Sequence, residues 1–72
     1  MEKMDIWAYA EKTRAYLATP RGGANFRESR ERFGYSYKRA LAVAVMVATH
    51  LIVYERIAEV VEALMEREAV AA

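Results

Sequence analysis

Seventy-two residues with eleven Lys or Arg against ten Asp or Glu make one domain, residues 1–72, near charge balance and without a cysteine. A chain this short buries only about 60% of its unfolded surface, so its core is marginal unless another chain adds to it. Disulfide scaffolds and thiolate metal sites are excluded, and the longest uncharged run, Ala40–Tyr54, is too short for a bilayer and contains His50. Glu2 and Asp5 precede Ile6-Trp7, so no basic-then-apolar leader is read, and a cytoplasmic protein is expected.

Asp5 is a plausible N-cap for a first helix over Ile6–Ala18, with Ile6, Tyr9, Ala10, Thr13, Tyr16 and Leu17 on one side and Trp7 beside them in the core. Thr19-Pro20-Arg21-Gly22-Gly23 is the one strong breaker and ends that helix. Asn25 with Glu28 reads as a capping box opening a second helix, whose core anchors are Phe26 and Phe33, seven residues apart. Gly34 supplies a left-handed stop. Ser36 caps a third helix with an inward stripe of Ala40, Val43, Ala44, Val47 and Leu51.

Leu41, Val45, Ala48 and Ile52 form a second apolar stripe on that third helix. A helix apolar all round must be covered all round, by the C-terminal helix or by a second subunit. Leu51-Ile52-Val53-Tyr54 is β-branched and aromatic, so a short strand at 51–54 competes with a fused helix; no Asn-Gly or Asp-Gly turn follows to build a full wing. Ile57, Val60, Val61, Leu64 and Met65 then recur at helical spacing and predict an amphipathic fourth helix within 55–72. The expected fold is all-α: a three-helix core over 6–54 plus that C-terminal helix.

Charge is unevenly placed. Arg14 to Arg39 holds seven basic residues against two acids, whereas Ala40 onward holds two basic residues against five acids. Such segregation suggests that the middle of the chain meets a polyanion while the C-terminal part does something else.

Enzymatic and metal chemistry find little support, and neither a cofactor nor a metal is expected. His50 is the only histidine and has no nucleophile near it in sequence, so a helix-capping or packing role is expected. Glu59, Glu62 and Glu66 are regularly spaced but read as a solvated helix face, and Gly22-Gly23 lacks the Lys-Ser/Thr of a phosphate loop.

Asn25, Glu28, Phe33, Gly34, Tyr35, Ser36 and Ala40, taken in order, resemble the helix-turn-helix DNA-binding superfamily, particularly small winged-helix-like regulators of archaea and bacteria. The likeness spans Ile6 to about Tyr54 and is specific over Asn25–Ala44. It departs from the family at Ser29-Arg30, where Leu-Ala is usual, in lacking wing glycines, and in a third helix whose polarity stops after Arg39.

The resemblance implies that Ser36, Tyr37, Lys38 and Arg39 form the tip of a recognition helix entering a major groove, with Tyr35 beside them. Arg27, Arg30 and Arg32 on the second helix, and Arg21 in the loop, would lie near phosphates. A small homodimeric transcriptional regulator binding duplex DNA sequence-specifically is the expected function. Leu41, Val45, Ile57, Val60, Val61 and Leu64 are the expected dimer interface, because the alanine-rich third helix permits close approach and the fourth carries an apolar stripe. The rivals are a helical adaptor docking on a larger protein, and a module binding RNA or single strands through Tyr35, Tyr37 and the arginines.

Overall fold

The computed structural model describes the backbone of residues 5–71 and the side chains of residues 5–67. It is all-α: α1 spans Ile6–Ala18, α2 Pro20–Glu31, α3 Tyr37–Thr49 and α4 Tyr54–Ala71, with no strand among the described residues. No single helix is long and apolar enough to cross a membrane, and α3 and α4 meet at a bend of 110°.

α1 begins where expected: the Asp5 carboxylate accepts from the Ala8 N–H at 3.1 Å. Its end is tighter than the sequence suggested, because Thr19 serves two helices at once. The Thr19 N–H donates to the Tyr16 carbonyl at 3.0 Å. Its Oγ1 donates to that same carbonyl and accepts from the Gly22 N–H at 3.0 Å. A residue before proline is pushed into extended conformation, and Thr19 sits there at ψ 154°. Pro20 follows at N1, where its fixed φ suits a helix start.

Thr19-Pro20 therefore opens α2 as well as closing α1, and Asn25 is interior rather than a cap. Its side chain instead ties α2 to α1, Nδ2 donating to the Tyr16 hydroxyl at 2.8 Å. The glycines of the supposed breaker are helical. A Cβ on Gly22 would stand 1.9 Å from the Tyr16 carbonyl oxygen, so only glycine lets the helices approach this closely. Gly22→Ala is expected to lower the melting temperature by about 10 °C or more, since backbone must move to admit the methyl. At Gly23 the nearest atom is the Leu17 carbonyl oxygen at 3.3 Å; there the helix propensity of alanine offsets the crowding, and a shift within about 4 °C is expected. Equal melting of the two variants by circular dichroism would refute the close contact.

Gly34 does stop the chain as expected, at φ 68°, and the Tyr35 N–H returns to the Ser29 carbonyl at 3.0 Å. Ser36 caps α3 by accepting from the Arg39 N–H at 3.1 Å. His50 ends α3 in the left-handed region at φ 62°, its N–H bonded to the Met46 carbonyl. Residues 51–53 then form a short irregular link, not a strand. β-Branched side chains favour extended backbone only where a neighbouring strand can pair with it, and here the Val53 carbonyl already accepts the first N–H bonds of α4.

The core answers the question raised by the doubly apolar α3. Leu41 and Val45 pack with Ile57, Val60, Val61, Ala63 and Leu64 of α4 and Ala10 of α1 in one buried cluster. Ala40 and Ala44 are buried on the other side, where α3 borders Tyr16, Phe26 and Ser29. α1 touches all three other helices, whereas α2 and α4 do not touch. They flank the α1–α3 pair from opposite sides, so the basic α2 and acidic α4 are separated in space as they are in sequence.

Several expectations are corrected by this packing. Leu41, Val45, Ile57, Val60, Val61 and Leu64, expected between subunits, are each at most 4% exposed within the single chain. They form the protomer's own core because α4 folds back over α3. Val47 and Ile52 lie beyond the reach of that cover and are exposed, Ile52 to 85%. Trp7 is also half-exposed, with the Arg67 guanidinium 5.0 Å above its ring and Arg67 itself paired with Glu11. Phe33 is not an anchor. α2 ends at Glu31, so the helical spacing that aligns Phe33 with Phe26 no longer operates at position 33.

Candidate nucleic-acid interface

The elbow between α2 and α3 is built by its arginines. Arg30 Nη1 donates to the Tyr35 carbonyl at 3.1 Å, and its guanidinium lies 5.9 Å from the centre of the Tyr37 ring. Arg39 stacks over the Tyr35 ring at 4.4 Å. Tyr35 is thereby held through its carbonyl by one helix and through its ring by the next. A cation over an aromatic face is worth roughly 0.5–1 kcal/mol when exposed, enough to order a five-residue turn whose backbone is already stopped by Gly34.

Ser36, Lys38 and Arg39 are exposed at the tip of α3. Ser36 uses its side chain to cap the helix. Tyr37 behaves differently: it is half-buried, with its ring edge-on to Phe26 at 5.7 Å, and packs against the core. Its first role is to dock α3 on α2. Lys38 and Arg39 also line one end of an open groove of about 360 Å³, floored by Ala42, Ile57, Ala58 and Val61.

On α2, Arg27 and Arg30 are exposed and one turn apart, and Arg30 faces the elbow. Arg21 does not join them. It lies in the first turn of α2 rather than in a loop. Nine residues separate it from Arg30, about two and a half turns, which places the two on opposite flanks of the helix. The elbow thus gathers Arg30, Lys38 and Arg39 with Tyr35, has Arg27 one turn back along α2, and leaves Arg21 outside.

Ion pairing divides the cations further. Arg14 lies against Glu11, Arg32 against Glu28, Arg56 against Glu59 and Arg67 against Glu11. Among the described residues, Arg27, Arg30, Lys38 and Arg39 form no ion pair, although Glu31 stands one turn beyond Arg27. Four cations without carboxylate partners, on two helix ends meeting at one turn, present a concentrated positive surface.

Sequence reasoning placed Phe33 in the core, whereas it lies exposed next to Arg32, beside the elbow. The Arg32 guanidinium sits 5.8 Å from the Phe33 ring centre, and the Phe33 and Tyr35 rings lie 5.8 Å apart at an interplanar angle of 30°. The available signal was position: Phe33 directly precedes the helix-stopping glycine, where a side chain leaves the helix periodicity. His50 caps α3, and the exposed Glu59 is held by Arg56 at 3.2 Å. Comparison of the chain with protein-family models, with curated proteins and with solved structures returns no match.

Proposed function

We propose that this chain binds duplex DNA through the α2–α3 elbow, with the tip of α3 in the major groove, as a small transcriptional regulator. The observation that carries the reading is the set of four cations without carboxylate partners, Arg27 and Arg30 on the C-terminal half of α2 and Lys38 and Arg39 on the exposed tip of α3. The resemblance of Asn25–Ala44 to helix-turn-helix sequences supports it through the Gly34 stop and the Ser36 cap. Lys38 and Arg39 would donate to guanine edges, while Arg27 and Arg30 neutralise phosphates.

The reading takes nothing from the six apolar residues first expected to pair two chains, since they line the core. Its test is a salt series. Neutralising about four phosphates gives a slope near −3 to −4 for log affinity against log salt, and about a hundredfold loss between 50 and 200 mM. Anisotropy of a labelled duplex measures it, and a flat salt dependence would remove the elbow from consideration.

A further inference from the structure

Phe33 is 57% exposed, although its sequence spacing to Phe26 pointed it inward. It is not an isolated apolar side chain on a polar surface. In space the order runs Arg32, Phe33, Tyr35, Arg39: the Arg32 guanidinium against the phenyl ring, the phenyl ring against the tyrosine, and the tyrosine against the Arg39 guanidinium. Two neighbouring rings beside two guanidiniums, that of Arg32 paired with Glu28 and that of Arg39 without a carboxylate partner, match a nucleotide, which joins a flat π-face to a phosphate. A paired base inside a duplex cannot use them, because its faces are already covered by its stacking neighbours. An unpaired base can.

We infer that Phe33 and Tyr35 form a stacking platform for an unpaired nucleobase beside the duplex engaged by Lys38 and Arg39. This rests on the duplex reading above and narrows it to DNA with a single-stranded extension or a bulge. Arg39 covers Tyr35 and Arg32 lies against Phe33, and the part of Phe33 left exposed receives the base. Stacking of this kind is indifferent to base identity, so the platform selects strand state and leaves sequence to the tip of α3.

Three labelled probes test it by anisotropy: a blunt duplex, the same duplex with a three-nucleotide tail, and the tail alone. Wild-type protein is expected to hold the tailed duplex about tenfold more tightly than the blunt one. Phe33→Ala and Phe33→Leu should erase that gain and leave blunt-duplex affinity unchanged, while Phe33→Trp retains it. The exposure of the side chain keeps these variants folded. Equal wild-type binding of blunt and tailed probes, or a gain that survives Phe33→Ala, overturns the platform and leaves the duplex reading standing. Tail binding without blunt-duplex binding overturns the duplex reading and retains the platform if Phe33→Ala abolishes it, and overturns both if it does not. No binding to any probe overturns both.

Discussion

Lys38→Ala combined with Arg39→Ala is expected to weaken duplex binding about a hundredfold while the protein still melts cooperatively. Each side chain is placed to make a contact that discriminates by roughly 1–3 kcal/mol, and one factor of ten corresponds to about 1.4 kcal/mol. The fold should survive because both side chains are exposed and neither supplies the helix cap. The cap is the backbone N–H of Arg39 donating to Ser36 Oγ, which alanine keeps. The loss of the Arg39–Tyr35 stack costs stability about 1 kcal/mol at most. Arg21→Ala, on the other flank of α2, serves as the internal comparison and should change affinity by less than about threefold. Titrations in which the double variant binds like wild type would place the groove contacts elsewhere.

The second large effect concerns the core. Leu41→Ala should cost about 2–5 kcal/mol, about half of the roughly 4–10 kcal/mol available to a 72-residue domain. Val60→Asp should leave no cooperative transition at all, because the carboxylate would be buried where Val60 has no exposed surface. The distinction matters because these positions carry different consequences in the two arrangements weighed from sequence. At an interface between chains, a charge at 60 yields folded, separated protomers. Inside the protomer it unfolds the chain at every concentration. A helical, cooperatively melting Val60→Asp protein across a concentration series would restore the dimeric arrangement.

Both experiments bear on parts of the molecule that differ in how openly the sequence declares them. The bounds of α1 and the start of α3 were readable because caps are local. Asp5 meets Ala8, Ser36 meets Arg39, and Gly34 needs only its own positive φ. The amphipathic stripe of α4 was equally plain. Thr19-Pro20-Arg21-Gly22-Gly23 was misread for the converse reason: the same residues that break one helix begin another, and the need for Gly22 lies in the carbonyl of Tyr16, six positions away on a different helix.

At the candidate site, the composition of the basic tip was legible, but its membership was not. Arg21 leaves the group because of helical phase, Tyr37 turns partly inward because Phe26 offers it a ring, and Phe33 turns out to water because α2 ends two residues before it.

By itself the sequence determined the helical class, most helix ends and the separation of charge, all of which depend on residues within about one helical turn or on simple periodicity. Tertiary structure alone decided which apolar stripe faces which helix, and so turned an expected contact between chains into the interior of one. The physical reason is that a stripe specifies only that it must be covered. What covers it is settled by the chain reversal at His50, which brings α4 back across α3.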